Sequence, residues 1–249
     1  MMGQTRMLQA GLQSILSLAY PPQCISCETM TERPFALCAG CWSKTPFIVG
    51  LACDKCGTPL PGEDDGRPEL CDDCLATERP WDRGRAAMIY RDNARDLVLA
   101  LKHADRLEIG RAAGPWLFAA ARPILVPGVL IAPVPLHRQR YFRRTYNQSA
   151  ILAGALARAA GAEWCPDLLL RSRATPSQEG RDRDARFVNL AGAVRTNPRR
   201  ADRVAGRDLL IVDDVMTSGA TFSAAAEAGR AAGAGSVSVL ALARVAKDA

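Results

Sequence analysis

Eight of the nine cysteines fall into four CxxC pairs: Cys24/Cys27, Cys38/Cys41, Cys53/Cys56 and Cys71/Cys74. Two residues between paired thiols let both reach one ion, and two pairs complete a tetrahedral shell of four thiolates. The eight ligands therefore suit two Zn²⁺, each with a closed shell that leaves no position open for catalysis, so the expected role is structural or protein-contacting. A disulfide framework would require an oxidising compartment. A thioredoxin-like CxxC comes singly at the start of a helix. Two-cluster ferredoxins space their cysteines much more densely. Sequential pairing of the knuckles makes two tandem ribbons, whereas interleaved pairing makes one cross-braced unit. Residues 42–52 (WSKTPFIVGLA) read as a connector with its own apolar anchor, which favours the tandem arrangement. Gly57 directly follows a knuckle and suits its tight turn. Cys165 stands alone between Trp164 and Pro166 and reads as a small packed residue.

A second constellation follows the apolar run Leu209–Val212: Asp213, Asp214, Val215, Met216, Thr217, Ser218, Gly219, Ala220, Thr221, then a helical pattern. Two adjacent carboxylates at a strand end are costly unless they meet hydrogen-bond donors or a ligand. The small, hydroxylated stretch after them can wrap a phosphate with main-chain N–H groups at a helix N-terminus, where the dipole also favours an anion. Helix capping alone accounts for one of these residues, not for the run. The chain has neither GxxxxGK[ST] nor GxGxxG, so nucleoside-triphosphate loops and dinucleotide folds lack their fingerprints. Carboxylates for two hydroxyls, with a phosphate cradle beside them, suit a ribose 5-phosphate.

The elements that would carry these groups read as α/β from Gly84 onward. Short apolar runs at Ala86–Tyr90, Val129–Ala132, Leu209–Val212 and Val237–Leu242 read as strands. Helical periodicity marks Asn93–His103, Ile109–Ala121, Gln148–Ala160 and Ala220–Ala232. The alternation predicts a mostly parallel sheet flanked by helices, with ligands at the carboxyl ends of the strands. The expected division is 1–82, a short helix plus double zinc ribbon, and 83–249, the α/β domain.

Charge follows the same division. Residues 1–82 carry 6 Lys/Arg against 11 Asp/Glu, and residues 137–207 carry 15 Arg against 6 acids. Two all-thiolate zinc sites would make the first segment more negative still, which argues against phosphate-backbone binding by the ribbons. The arginine-rich segment suits phosphate and pyrophosphate, because the guanidinium fork is bidentate. At 249 residues, 48% apolar and 23% charged, the chain is of ordinary globular composition with room for a sizeable core. No apolar run has the roughly 18–20 residues of a membrane span. Leu8–Tyr20 carries glutamines and lacks a clear cleavage site, so a soluble, cytoplasmic protein is expected.

Three stretches resemble known families. LLIVDDVMTSGAT closely resembles the phosphoribosyl-diphosphate (PRPP) motif of type I phosphoribosyltransferases. Residues 131–148 (IAPVPLHRQRYFRRTYNQ) are similar to the PVPLHxxRxRxRGxNQ signature of the ComF family, and residues 171–190 (RSRATPSQEGRDRDARFVNL) to its RxTxxQxxLxxxxRxxN segment. That family also carries N-terminal cysteine-rich zinc ribbons, so the resemblance spans nearly the whole chain. It implies a type I phosphoribosyltransferase-like domain in which Asp213 and Asp214 contact the ribose hydroxyls. Val215 and Met216 would lead into Thr217–Thr221, which would hold the 5′-phosphate. Pro133, Val134, Pro135, Leu136, His137 and Arg138 would form the pyrophosphate loop. Arg173, Thr175 and Gln178 would sit on a flexible loop that closes over the site, and Lys102 matches an LKxxG-like element. Mg²⁺ is expected to accompany PRPP and neutralise its pyrophosphate. The chain departs from the pattern at Thr145, at Ala104-Asp105 and at Gly180-Arg181, where the family has glycines in the first two places and a leucine in the third. The implied function is pentosyl transfer to an unspecified acceptor, in a family associated with natural competence and DNA uptake. The alternative is a non-catalytic phosphate or single-stranded-DNA module whose ribbons contact a competence helicase or recombination mediator.

Overall fold

The computed structural model describes residues 21–103, 106–136, 146–172 and 192–246. The chain forms two compact units, Met1–Thr45 and Pro46–Ala249. Among the described residues, no helix is long and apolar enough to cross a membrane.

In the first unit the backbone turns on Cys24, whose N–H donates to Thr29 O at 2.7 Å, while Glu28 N–H donates back to Cys24 O at 3.0 Å. Glu28 takes the left-handed conformation this turn needs, at φ 64°. Helix α1 (Ala39–Ser43) follows, with Cys38 Sγ accepting from the Cys41 N–H at its start.

The second unit opens with the same turn. Cys53 N–H donates to Thr58 O at 2.8 Å and Gly57 N–H to Cys53 O at 2.8 Å. Gly57 occupies the place of Glu28 at φ 70°. Here only glycine fits, because an added Cβ would lie 2.5 Å from Ala86 N. Helix α2 (Asp72–Ala76) brings up Cys74. Strand β1 (Arg83–Ile89) then leaves the knuckle directly, and a Cβ on Gly84 would stand 2.3 Å from Lys55 O. Asp54 ties the knuckle to β1, taking Arg83 Nη2 at 2.8 Å and Arg85 Nη2 at 2.6 Å. Burial pushes the Asp54 carboxyl up, but the two guanidinium groups outweigh it and hold the pKa below the ordinary value.

After β1 come α3 (Asp92–His103), α4 (Glu108–Ala121), β2 (Leu130–Pro133), α5 (Gln148–Ala160), β3 (Glu163–Trp164), β4 (Leu169–Arg171), β5 (Val194–Thr196), β6 (Asp208–Met216), α6 (Ala220–Ala231) and β7 (Ser236–Arg244). Five strands form one sheet in the order β1-β7-β6-β2-β3. All of its pairings are parallel. Leu209–Val212 and Val237–Leu242, the unbroken apolar runs, lie in its centre, as strands covered on both faces should. From β2 the chain crosses through α5 to β3, and from β6 it crosses through α6 to β7 in the opposite direction. The order therefore reverses between β2 and β6, and a crevice opens at their carboxyl ends.

Two features differ from the expectation. Strand β6 does not stop at Val212 but carries the acidic pair within it, because β7 pairs with it as far as Met216↔Arg244. A second, antiparallel sheet of β4 and β5 was not foreseen. Its strands are three residues each, too short for alternation to show.

Candidate functional site

The four sulfurs of Cys24, Cys27, Cys38 and Cys41 lie within 4.8 Å of one another, as do those of Cys53, Cys56, Cys71 and Cys74. In each quartet a sulfur pair stands 3.6 Å apart, Cys27 with Cys38 and Cys56 with Cys71. A tetrahedral zinc with bonds of about 2.3 Å spaces its sulfurs by about 3.8 Å, so both quartets fit the ion. The pairing is sequential, as tandem ribbons require. Backbone N–H groups of Ser26 and Cys38 point at Cys24 Sγ, at 3.5 and 3.3 Å, and would share the thiolate charge. Both knuckles also place a threonine hydroxyl 3.2 Å from the second sulfur, Thr29 at Cys27 and Thr58 at Cys56. The Thr29 hydroxyl is the main reason the Cys27 thiol is held down to about 6. The quartets differ in burial: Cys27 is exposed, whereas Cys53 and Cys56 are wholly buried.

The second site lies at the β2–β6 reversal. Val134 N–H donates to Val212 O at 2.9 Å, which places the stretch Val134-Pro135-Leu136 beside the acidic pair. Asp213 is buried; its Oδ1 accepts from Ser149 Oγ at 2.6 Å and from the Asp214 N–H at 2.9 Å. Lys102, at the end of α3, reaches Asp214 Oδ1 at 3.2 Å. Asn147 caps α5 by accepting from Ser149 N–H, and its own amide donates to Val134 O at 3.0 Å, so one residue fixes both the cap and the start of the loop. Beyond Met216, Gly219 turns the chain at φ 86° into α6. Among the described residues, the N–H groups of Ser218 and Gly219 have no acceptor. A buried amide such as that of Gly219 ordinarily has one.

Asp213, Asp214, Lys102, Val134–Leu136 and Thr217–Thr221 thus converge on one crevice. Val215 and Met216 continue the strand, with Met216 buried. His137 and Arg138 of the expected pyrophosphate loop, and Arg173, Thr175 and Gln178 of the expected flexible loop, lie outside the described residues. Ser149 was not anticipated, because nothing in the sequence reports that the first turn of α5 would meet Asp213. Beside Pro135 and Leu136 opens a cavity of about 870 Å³, with Asn147, Arg158, Trp164 and Arg171 on its walls.

Burial, and after it the charge of Asp214, raises the Asp213 pKa to about 7; the Ser149 hydroxyl, the Asp214 N–H and Lys102 act against them. A folded-state value above the ordinary 3.8 means that the folded protein holds this proton more tightly than the unfolded chain does. Its stabilising contribution is complete below the unfolded value and is lost as pH rises through about 7. Asp213→Asn keeps the acceptor for Ser149 and removes the charge. Its melting temperature, measured by circular dichroism, should match the wild type below about pH 3.8 and exceed it increasingly as pH rises to about 7, where the difference levels off. A gain that does not change between these pH values would contradict this assignment.

Residues 15–75 match the double zinc ribbon domain. DNA utilization protein YhgH of Salmonella typhi is 32% identical over 234 residues, covering 91% of this chain and 99% of that protein. Its counterpart in Escherichia coli K12 is 31% identical over the same length and coverage. Competence protein F of Haemophilus influenzae is 27% identical over 229 residues, covering 89% and 96%. Among solved structures, TT1426 from Thermus thermophilus aligns with a TM-score of 0.35 and 19% identity, covering 56% of this chain and 85% of that one. A hypoxanthine phosphoribosyltransferase from Staphylococcus aureus aligns with a TM-score of 0.30 and 12% identity, covering 59% and 62%.

Proposed function

The chain belongs to the ComF family, that of competence protein F and DNA utilization protein YhgH, and from this we propose that its larger unit binds PRPP and transfers the phosphoribosyl group. The observation that carries the reading is the convergence of two carboxylates and a loop with free amides at one strand end. The ribose 2′- and 3′-hydroxyls donate to Asp213 and Asp214. The amides of Ser218 and Gly219, at the positive end of α6, hold the 5′-phosphate. Val134-Pro135-Leu136 faces the pyrophosphate, and by the family resemblance His137 and Arg138, which lie outside the described residues, would contribute to its binding. As pyrophosphate departs, positive charge develops on the sugar, and the carboxylates stabilise it electrostatically. Lys102 holds Asp214 in place from the side.

The oxygen donors of Asp213 and Asp214 fit a Mg²⁺ that is bound mainly through substrate phosphates. That ion supplies charge neutralisation on the leaving group. The cavity beside Pro135 receives the acceptor, in the manner of a partly apolar pocket with a few polar groups. By the family resemblance, Arg173, Thr175 and Gln178, which lie outside the described residues, would belong to a loop that excludes water from the reacting centre. The ribbons hold two Zn²⁺ and contact a protein partner. Exposed Met30 and Trp42, at 71% and 52%, support that role. Reduced zinc thiolates suit the cytoplasm. Pyrophosphate release from PRPP with a panel of nucleobase acceptors, with and without Mg²⁺, tests the reading; Mg²⁺-dependent release supports it, and none with any acceptor overturns it.

The arginine concentration in 137–207 favours a second reading, a non-catalytic module for phosphate or single-stranded DNA. That module would bind oligonucleotides with a steep salt dependence, indifferent to PRPP.

A further inference from the structure

We propose that Arg79 and Arg244 are positioning residues that set the phosphate loop, and that Arg79 makes that loop depend on the second cysteine quartet. The inference rests on the phosphate reading of Thr217–Thr221 and goes beyond it, to what holds the loop in its binding shape.

Both arginines are nearly buried, at 6% and 4% exposure. Arg244, the last residue of β7, donates through Nη1 to Thr217 O, to Met216 O at 3.2 Å and to Val245 O at 2.9 Å. Arg79 donates through Nη1 to Ser218 O at 2.8 Å. Two guanidinium groups thus grip the consecutive carbonyls of Thr217 and Ser218. No peptide bond among the described residues is cis. In a trans peptide the C=O and the following N–H point in opposite directions. Holding the Thr217 and Ser218 carbonyls from behind therefore turns the Ser218 and Gly219 N–H groups forward, and neither amide has an acceptor among the described residues.

The charge balance points the same way. Among the described residues no carboxylate pairs with Arg79 or Arg244, and the Nε of each is buried without a partner. Arg244 lies close enough to Cys56 to lower its thiol pKa, so a zinc thiolate there would serve it as a counter-charge. Arg79, held by a carbonyl and an indole face, has no such neighbour among the described residues, and a cation buried in that way is costly unless an anion comes close. A phosphate in the amide hollow meets that need.

Arg79 is itself held by the second ribbon. Its guanidinium lies 5.5 Å from the centroid of the wholly buried Trp81 ring. Trp81 Nε1 donates to Lys55 O at 2.6 Å, and Lys55 Nζ donates to Trp81 O at 2.9 Å. Lys55 lies between Cys53 and Cys56 in the zinc knuckle. The loop rests directly on this stack, for a Cβ on Gly219 would lie 3.0 Å from both Arg79 Nη1 and Trp81 Cη2. The order of support is knuckle, Trp81, Arg79, Ser218 carbonyl, Gly219 amide.

The test is calorimetric titration of wild type, Arg79→Ala and Arg79→Lys with two probes, ribose 5-phosphate and Mg²⁺-pyrophosphate, together with zinc analysis. Arg79→Ala should weaken ribose 5-phosphate by about tenfold or more, the scale of one lost charge-assisted hydrogen bond. Pyrophosphate affinity should stay within about twofold, and zinc should stay at about two ions per chain. Arg79→Lys keeps the charge and a donor and should recover part of the loss; it also serves if the alanine variant does not fold. Equal weakening of both probes, or ribose 5-phosphate affinity unchanged in either variant, would overturn the positioning role. A wild-type protein that binds pyrophosphate but not ribose 5-phosphate would instead overturn the phosphate reading beneath it.

Discussion

Cys56→Ser is expected to strip one zinc from the chain and to abolish the cooperative melting of the larger unit. Cys56 is wholly buried, in one apolar cluster with Cys53, Trp81, Ala86 and Val239. The metal that this quartet would hold contributes roughly 10–16 kcal/mol in comparable four-ligand sites. A domain's whole net stability is about 5–15 kcal/mol. Losing the site therefore removes more than the unit has in reserve, and it leaves three thiols in an apolar core. Cys27→Ser makes the matching comparison. Cys27 is exposed and belongs to the compact unit Met1–Thr45, so its loss should remove one zinc while the melting of Pro46–Ala249 shifts by only a few degrees. Metal analysis and thermal melts of both variants decide the matter. If Cys56→Ser melts as the wild type does, the second quartet is not part of the larger unit's core.

Asp214→Asn is expected to lower PRPP turnover by about 100-fold or more, the scale of removing one preorganised electrostatic group from a transition state. The substitution is nearly isosteric, so the fold should persist. What changes is the field. Asp214 is held 3.2 Å from Lys102, and replacing it by a neutral amide leaves that ammonium facing the sugar without its counter-charge. The Asp214–Lys102 pair, neutral overall in the wild type, becomes a net cation beside the ribose. Pyrophosphate release measured against wild type, with a thermal melt on each, separates the two effects. Turnover within threefold of wild type would remove Asp214 from the chemistry.

Most of the chemistry was legible in the sequence because it sits in short contiguous runs. Four CxxC pairs specified two thiolate shells, and the quartets form in the sequential order that the connector 42–52 suggested. The apolar runs and helical periods specified a parallel sheet, since strands buried on both faces leave unbroken apolar signatures. Asn147 and Gly161 bound α5 where its caps predict. The parts that were not legible depend on residues far apart in the chain. The extension of β6 through the acidic pair is imposed by β7. Ser149 meets Asp213 only because α5 packs against β6. Arg79 and Arg244 look like any of the many arginines until the fold brings both beneath Thr217 and Ser218. The packing of the second knuckle against β1 shows in sequence only as Gly57, which reads as a turn residue, and Gly84, where the α/β pattern begins, until their missing Cβ atoms are set against Ala86 N and Lys55 O.

The crevice between β2 and β6 is where the proposed ligand must sit, and crystals grown with PRPP and Mg²⁺ examine it most directly. The expected density places the 5′-phosphate within hydrogen-bond distance of the Ser218 and Gly219 amides and the ribose hydroxyls on Asp213 and Asp214. Ligand bound elsewhere, or a crevice left empty at millimolar PRPP, would contradict it.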